Sequence, residues 1–393
     1  MTNADIAHFD DYRRQTVIKH QILTQYLRPY FDILKTHHAR LVYIDGFAGR
    51  GSYATDESGR RSDGSPLLAL RLISERLEFA RRVDTVFIEA NERFFGELST
   101  RVRAFCAENP GVQPPLLRHG RFEDEIDALL DVIQGQASRL PPTFMFVDPC
   151  GVEGVDFKSI IRVLAAERCE VFLFFNMEGI RRILGLADAG GVSPALVSFF
   201  GSADRVVELR SLLKATESSL EREQVVVGAY RAAINRLSGA DYILPFRIES
   251  EGRRTTSHYL IHATKNALGF KIMKHIMWEA GRGDGQEGRL ELLQASAGDL
   301  GAMMRADLRD LEEAILARVS HRPARAEEFY DQWVCRPTDP FTEGCYRRIL
   351  LQLEAERRIQ IRDSSCQHVV DATMRPMRKG QVTLGKSYWV TKA

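Results

Sequence analysis

Three glycines and an acidic residue lie close together in the segment 45–51, Asp-Gly-Phe-Ala-Gly-Arg-Gly. Gly46, Gly49 and Gly51 have the spacing Gly-x-x-Gly-x-Gly, and Asp45 comes directly before them. Glycine lets the backbone turn sharply and approach a ligand closely. At the end of a first parallel strand, this pattern predicts a nucleotide pocket. A plain tight turn is the alternative, because a glycine cluster alone is weak evidence.

A second acidic residue, Glu89, ends another apolar segment and is followed by Ala90. A carboxylate at the end of a second parallel strand can accept hydrogen bonds from both hydroxyls of a ribose. We therefore expect Glu89 and Ala90 to contribute to the same pocket. Between the two motifs, Gly64-Ser65-Pro66 predicts a helix start, with Ser65 as N-cap and Pro66 at the first helical position.

A third turn follows the weak strand predicted at Pro115–His119 and covers residues 120–124. Phe122 and Glu123 are candidates to lie along the edge of an adenine ring. The alternative is helix capping by Glu123 or Asp124, because acidic side chains are favourable at helix N-termini.

A fourth turn, Asp148-Pro149-Cys150-Gly151, closes an apolar strand. It can present the Asp148 carboxylate and the Pro149 carbonyl to a substrate amine, so these two residues are the candidate catalytic groups. An ordinary Asp-Pro turn is one alternative. A nucleophilic Cys150 thiolate is another, although the sequence places no histidine to activate it.

The elements that must position these turns alternate between strands and helices, which predicts an α/β sheet with parallel strands and right-handed crossovers. The predicted strands are Arg40–Ile44, Thr85–Glu89, Pro115–His119, Thr143–Val147 and Glu170–Phe175. The predicted helices are Asp11–Thr36, Pro66–Phe79, Glu92–Glu108, Glu123–Ile133 and Phe157–Glu167. The polar segment Ala54–Asp63 is a candidate cover for the ligand.

The rest of the chain departs from this alternation. A helical insertion is predicted at about 178–241, and strands at Tyr242–Glu249 and His258–Thr264 return to the sheet. Beyond Leu290, helices at Gly301–Val319 and Cys345–Arg358 precede short strands at Ile359–Arg362 and Ser387–Thr391, an order that resembles a winged-helix module. The predicted domains are 1–285 and 290–393.

Composition limits the class of protein. The 393 residues carry a net charge of +1 and 44% hydrophobic residues, which is typical of a globular protein. We expect a cytoplasmic protein, because no apolar run is long enough for a membrane span and no secretory signal is present. The six cysteines lack zinc spacing and are expected to be reduced thiols, and no metal site is predicted.

The C-terminal tail is basic, with ten Lys/Arg and four Asp/Glu from Tyr346 to Ala393. An anionic partner such as DNA or RNA is one interpretation, and a solvated basic face or a packing module is the other. The candidate phosphate-binding residues are Arg347, Arg348, Arg357, Arg375, Arg378 and Lys379. The nearby aromatic residues Phe329, Tyr330, Trp333, Tyr388 and Trp389 are expected in the core.

Together, the glycine motif, Glu89 and the Asp148-Pro149 turn resemble motifs of class I S-adenosylmethionine-dependent methyltransferases. A closer resemblance, over 13–278, is to the three-Cys-motif partner protein family of bacteria. It is carried by Lys19-His20, Tyr43 to Gly49 with Tyr53, Gly64 to Leu67, His258 to Ile261 and Lys271 to Lys274. That family is similar in turn to ribosomal-RNA adenine-N6 methyltransferases.

The resemblance implies a Rossmann-like methyltransferase fold and S-adenosylmethionine as cofactor. It places Lys19, Asp45, Phe47, Gly49 and Glu89 at the cofactor and Asp148 at the methyl acceptor. It also implies nucleic acid as substrate and a three-cysteine-motif protein, encoded nearby, as partner.

The chain departs from the related adenine methyltransferases in one motif. The segment 148–151 lacks the aromatic residue of Asp-Pro-Pro-Tyr, which stacks on a flipped base. Two hypotheses follow: a methyltransferase that acts on nucleic acid, with a base amine as one candidate acceptor, or a catalytically silent protein that senses a nucleotide or docks a partner. A nuclease is disfavoured, because the sequence has neither clustered carboxylates at metal-site spacing nor a Gly-Lys-Ser/Thr phosphate loop.

Overall fold

The structure of the protein is a computed structural model. It describes residues 14–55, 61–76, 80–135, 137, 139–186, 192–249, 256–281, 288–290, 308–336, 339–378 and 381–393. These residues fall into two compact units, one within Met1–Leu290 and one within Glu291–Ala393.

Strands and helices alternate in the first unit. Its described strands are β1 (Leu41–Asp45), β2 (Ser52–Thr55), β3 (Arg61–Asp63), β4 (Val83–Glu89), β5 (Leu116–His119), β6 (Thr143–Val147), β7 (Glu170–Asn176), β8 (Tyr242–Glu249), β9 (Thr256–Thr264) and β10 (Gly288–Leu290). Its described helices are α1 (Arg14–Leu34), α2 (Ser65–Ser74), α3 (Glu92–Glu108), α4 (Phe122–Gln134), α5 (Phe157–Ala165), α6 (Met177–Leu186), α7 (Pro194–Phe200), α8 (Ala203–Lys214), α9 (Ser219–Ser238) and α10 (Ala267–Ala280).

One mixed sheet organises this unit, with the strand order β10-β8-β9-β7-β6-β1-β4-β5. The strands from β7 to β5 in that order are mutually parallel, while β9 is antiparallel to both β7 and β8. All five residues of β1 and of β6 are buried, as expected for parallel strands covered on both faces. This is the Rossmann-like sheet of methyltransferase type that the sequence predicts.

The element types predicted for the first unit are confirmed, with ends that differ by a few residues. The predicted insertion consists of helices α6 to α9, and β8 and β9 return to the sheet. The edge strand β10 was not predicted, because three residues carry no periodicity. The polar segment before Gly64 contains the β2–β3 hairpin, with residues 56–60 outside the described range.

One capping prediction is wrong. The N-cap of α2 is Gly64, with no side-chain cap, so Ser65 is already the first helical residue. Pro66 still lies in the first turn, where its missing N–H costs nothing.

The helix α1 brings a charged residue onto a buried face. Its core-facing side chains Ile22, Leu23 and Tyr26 are fully or almost fully buried, and Lys19 lies one turn earlier on the same face. The helix packs against α2 and α10. Lys19 is therefore held against the sheet rather than in solvent.

The second unit contains α11 (Leu308–His321), β11 (Ala324–Arg325), a π-helical turn (Glu328–Trp333), α12 (Glu343–Ala355), β12 (Ile359–Arg362), a 3-10 turn (Ala372–Met374), β13 (Met377–Arg378), β14 (Gln381–Val382) and β15 (Trp389–Lys392). The strands β11, β15 and β12 form an antiparallel sheet in that order, and β13 and β14 form a hairpin. Phe329 and Tyr330 are buried as predicted, whereas Trp333, Tyr388 and Trp389 are half-buried. The winged-helix assignment stays a prediction.

Two kinds of feature are absent from the described residues. No described helix has the length and apolar character that a membrane crossing needs. Within the same ranges, no group of three or more His, Cys, Asp or Glu side chains is placed to hold a metal ion.

Candidate functional site

A cleft lies at the carboxyl edge of the parallel strands. In the sheet, β1 lies between β4 and β6. The chain continues from β1 to β4 on one side and later returns to β6 on the other side, so the strand order reverses at β1. Open α/β sheets bind ligands in the crevice at such a reversal. The lining residues are Gln15, Thr16, Lys19, Phe47, Ala48, Gly49, Arg50, Gly51, Ser52, Tyr53, Gly64, Ser65, Asp148, Pro149, Cys150, Phe174 and His258.

Lys19 and Asp148 meet in this cleft although 129 residues separate them. The Lys19 ammonium donates to Asp148 Oδ2, and the side chains of Lys19 and Asp148 are only 6% and 14% exposed. Burial lowers the pKa of Lys19, but the interactions with Asp148 and Tyr53 together outweigh it and raise the pKa to about 12. Lys19 is therefore a permanent cation that holds the Asp148 carboxylate in place.

The glycine loop turns through two left-handed residues, Gly49 with φ +60° and Gly51 with φ +79°. Other residues adopt such angles only with strain. Gly64 donates its N–H to the Gly51 carbonyl at 2.9 Å, and a Cβ on Gly64 would lie 3.0 Å from the Gly51 backbone. The two glycine motifs of the sequence are therefore in direct contact, and both line the cleft.

Glu89 fixes this loop through the backbone. One carboxylate oxygen accepts the Gly49 N–H at 2.8 Å, and the other accepts the Asn91 N–H at 2.7 Å. Burial raises the pKa of Glu89, and the backbone N–H groups partly offset that rise. Glu89 lies behind the residues that line the cleft, and the neighbouring Ala90 is exposed.

Asp45 is completely buried behind the glycine loop. Its Oδ1 accepts the Phe47 N–H at 3.3 Å, while Oδ2 has no hydrogen-bond partner among the described residues. Burial raises the pKa of Asp45 to about 7, although the Ser65 hydroxyl lowers it. Asp45 therefore supports the glycine loop from behind and does not itself line the cleft.

The role predicted for Phe122 is not supported by its position. Phe122 is only 2% exposed and does not line the cleft. Its ring packs 5.4 Å from that of Phe47, and a Cβ on Gly46 would lie 2.6 Å from it. Gly46 is therefore a glycine because Phe122 fills the space beside it.

Glu123 also lies away from the cleft lining and forms an ion pair with Arg121. Neither Glu123 nor Asp124 caps α4, whose N-cap is Arg121 without a side-chain cap. The capping alternative is therefore wrong. Both acids lie in the first turn, where they complement the helix dipole.

The turn after β6 faces the cleft with three consecutive residues. Asp148 is half-buried, Pro149 is buried and Cys150 is exposed. His258 lines the same cleft from β9, which the sequence alone did not place near Cys150.

Two aromatic rings, Phe174 and His258, are among the cleft residues that the sequence did not indicate as site candidates. Phe174 lies within the apolar strand β7 and carries no local signal of function. His258 belongs to the segment 258–261, whose only signal in the sequence is its resemblance to the three-Cys-motif partner family. Their rings are stacked, with centroids 4.2 Å apart and planes 14° apart.

The candidate nucleic-acid contacts of the second unit are only partly exposed. Arg347 bonds Glu343 at 2.6 Å and the Leu384 carbonyl at 2.7 Å, and the Arg375 side chain is buried against Glu354. Arg348 and Arg357 are exposed. The Arg378 side chain and all of Lys379 lie outside the described residues.

No protein-family model matches the chain, and no curated protein matches it either. The resemblance to the three-Cys-motif partner family therefore stays a prediction. Among solved structures, protein LPL1258 from Legionella pneumophila, of the family DUF519, is 11% identical, with 70% of this chain and 95% of that chain covered and a TM-score of 0.41.

Two further solved structures are named as a methyltransferase and as a putative methylase. The plantazolicin methyltransferase BamL, solved with SAH, is 10% identical, with 67% of this chain and 90% of that chain covered and a TM-score of 0.29. A putative rRNA-methylase from Clostridium thermocellum is 9% identical, with 61% of this chain and 97% of that chain covered and a TM-score of 0.27.

Proposed function

We propose that this protein is an S-adenosylmethionine-dependent methyltransferase that acts on a base amine of nucleic acid. One observation carries the proposal: the Lys19–Asp148 pair stands in the same cleft as Gly49 and Gly51, at the reversal point of a Rossmann-like sheet. The cofactor motif and the acceptor motif, which are about 100 residues apart in the sequence, thus share one edge.

The residues at the loop fit such a cofactor. The left-handed Gly49 and Gly51 turn the loop so that its backbone borders the cleft, and Glu89 fixes the loop by accepting the Gly49 N–H. Asp45 supports the loop from behind by accepting the Phe47 N–H. When bound, the cofactor supplies an electrophilic methyl group on a sulfonium ion.

The turn after β6 supplies what the acceptor needs. An amine attacks a methyl carbon with its lone pair, so its N–H must be held by an acceptor that leaves the lone pair free. The Asp148 carboxylate and the Pro149 carbonyl are such acceptors. Lys19 occupies Asp148 Oδ2, so Asp148 Oδ1 is the oxygen that would take the acceptor's N–H.

Titration calorimetry with S-adenosylmethionine tests the cofactor pocket. We expect binding to the wild type and no measurable binding to Asp45→Ala or Glu89→Ala, because both acids hold the glycine loop. Glu97→Ala is the matched control, since Glu97 pairs with Arg50 of the same loop from the partly exposed surface. Unchanged binding in both loop variants would contradict the pocket assignment.

We propose that the second unit binds the phosphate backbone of nucleic acid through Arg348 and Arg357. With the full-length chain and a labelled oligonucleotide, each substitution by alanine should weaken binding for all sequences. The slope of log K against log salt should fall by about 1 per residue. Arg139→Ala, in an exposed pair with Glu167 of the first unit, is the control. An unchanged salt slope in both variants would favour the packing-module interpretation.

A catalytically silent protein is the second candidate, favoured by Gly151 at the position where the Asp-Pro-Pro-Tyr motif of the adenine methyltransferases has its aromatic residue. Such a protein would sense the nucleotide or dock a partner, for which a three-cysteine-motif protein is the proposed candidate. Turnover separates the candidates. If protein that binds the cofactor transfers no labelled methyl group to total RNA, DNA, protein or small-molecule pools, the silent candidate is favoured.

A further inference from the structure

The antiparallel sheet of the second unit has two unlike faces. The register pairs Trp389 of β15 with Arg325 of β11 on one side and with Arg362 of β12 on the other side. Directly opposed residues of a sheet point to the same face, so these three side chains form one row, which we call the outer row. The next row points to the opposite face and is buried in the apolar core, and it consists of Ala324, Val390 and Ile361.

The outer row holds a cation against an aromatic ring. The guanidinium carbon of Arg325 lies 5.1 Å from the centroid of the Trp389 ring, and Arg325 is exposed whereas Trp389 is half-buried. The indole is fixed in turn, because its Nε1–H donates to the Ser364 carbonyl at 3.1 Å. A guanidinium is attracted to the face of an indole ring, so Trp389 positions Arg325 without neutralising its charge.

Neither arginine of the outer row forms an ion pair within the part of the second unit that the structure describes. Arg362 donates to two neutral acceptors, the Gln367 carbonyl at 3.2 Å and Gln360 Oε1 at 3.4 Å. The neighbouring Asp363 instead accepts hydrogen bonds within the turn that follows β12. The positive charge of the outer row is therefore available to an anionic ligand.

Other arginines of the same unit differ in this respect, because carboxylates already balance their charge. These pairs are Arg318 with Glu328, Arg347 with Glu343, Arg358 with Glu312, and Arg375 with Glu354. Two of the phosphate contacts expected from the sequence, Arg347 and Arg375, are among them. The outer row offers two unbalanced charges on a different face of the unit.

Two guanidinium groups on an open sheet face suit a ligand that repeats an anionic group along its length. Since β15 lies between β11 and β12, the strands that carry Arg325 and Arg362 are about 9.6 Å apart, twice the spacing of neighbouring strands. The flat fork of donors on each guanidinium matches the oxygens of a phosphate. A nucleic-acid strand carries such a phosphate at every nucleotide, and single strands bind to surfaces that combine basic and aromatic side chains.

We propose that the outer row binds the phosphodiester backbone of a single-stranded nucleic acid. Arg325 and Arg362 contact phosphates, and Trp389 is a positioning residue that holds Arg325. The inference rests on the proposed function for the nature of the ligand. It adds a second contact surface to the one proposed for Arg348 and Arg357.

Fluorescence anisotropy of a labelled single-stranded oligonucleotide tests the inference on the full-length chain. Arg325→Ala and Arg362→Ala should each weaken binding about 5- to 8-fold at about 0.1 M salt, because each removes one phosphate contact. The slope of log K against log salt should fall by about 0.7 to 0.9 for each variant. Arg325→Lys and Arg362→Lys keep the charge and should keep the salt slope of the wild type.

Arg358→Ala is the matched control. It removes the same charge from the same unit, but Arg358 is already paired with Glu312 and Glu356. Its affinity should therefore stay within about 2-fold of the wild type.

The positioning role of Trp389 has its own readout. Trp389→Phe keeps an aromatic ring and should bind like the wild type, whereas Trp389→Leu should weaken binding. In the Arg325→Ala background, Trp389→Leu should have no further effect, because the residue that Trp389 holds is already absent. Equal losses in both backgrounds would contradict this role.

The outcomes separate the inference from the function on which it rests. Unchanged affinity and salt slope in both Arg325→Ala and Arg362→Ala would overturn the inference alone, whether or not Arg348→Ala and Arg357→Ala weaken binding. Displacement of the oligonucleotide by polyglutamate at equal charge concentration would also overturn it and would identify an acidic protein segment as the ligand. Binding through the outer row without methyl transfer to any nucleic acid would overturn the proposed function and leave the inference intact.

Discussion

The two halves of the cleft are built in different ways. On the β1–β4 side, the carboxylates of Asp45 and Glu89 hold the glycine loop by accepting the backbone N–H groups of Phe47 and Gly49. On the β6–β7–β9 side, Lys19, Asp148 and Phe174 come from distant parts of the chain and meet only through side chains. The half held by backbone hydrogen bonds suits a cofactor that is always the same. In the half built from side chains, substitutions can change which acceptor binds without disturbing the glycine loop.

The largest effect should come from breaking the side-chain half. Asp148→Ala leaves the Lys19 ammonium buried without its partner, which should lower the free energy of unfolding by about 3–5 kcal/mol and abolish methyl transfer. The double variant Lys19→Met with Asp148→Leu should recover most of the stability in urea unfolding but none of the activity, because a buried pair can be replaced by apolar groups. Additive losses in the double variant would mean that the pair is not coupled.

The backbone half should respond to pH. The unfolded carboxyl of Asp45 ionises near 3.8, while the folded protein keeps its proton up to a pKa of about 7. Between these values the folded state binds the extra proton, so stability falls as pH rises, by at most about 1.4 kcal/mol per pH unit, and levels off above the folded pKa. In urea unfolding, the free energy of unfolding of the wild type should fall more between pH 5 and pH 7.5 than that of Asp45→Asn. An equal change in the two proteins would contradict this prediction.

A smaller effect should follow from crowding the same half. Gly46→Ala places a Cβ 2.6 Å from the Phe122 ring, and overpacking of this kind costs about 1–3 kcal/mol. Gly96→Ala is the control, because no atom lies within 4 Å of its Cβ in α3 and alanine favours a helix. Combining Gly46→Ala with Phe122→Leu should cost less than the sum of the single changes in thermal or urea unfolding, and simple additivity would place the strain elsewhere.

The smallest effect should come from the outer edge of the glycine loop. Arg50 pairs with Glu97 at 2.9 Å, and both side chains are partly exposed. Arg50→Ala should therefore lower the free energy of unfolding by less than about 1 kcal/mol. At high salt, the free energies of unfolding of wild type and Arg50→Ala should differ even less, because salt screens the ion pair. A larger, salt-independent loss would assign Arg50 a packing role against Phe94, whose ring centroid lies 5.4 Å from the guanidinium carbon.

The roles of individual site residues were predicted unevenly. The glycine loop and Asp148 lie in or beside the cleft because each directly follows a strand whose apolar run is unmistakable. Phe122 is buried beside Gly46, and its predicted contact with the ligand stays a prediction, since the same turn position can face either way. Phe174 was missed because, within an apolar strand, alternation alone does not tell a cleft-facing ring from a core ring.

The sequence by itself determined the alternation of strands and helices, the helical insertion, and the turns that carry Asp45, Glu89 and Asp148. These features rest on local periodicity and on glycine and proline, whose effects extend over a few residues. Only the tertiary structure decided that Lys19 pairs with Asp148, that Glu89 holds Gly49, and that His258 stacks on Phe174. Those contacts depend on strand order and register, which no short stretch of sequence specifies.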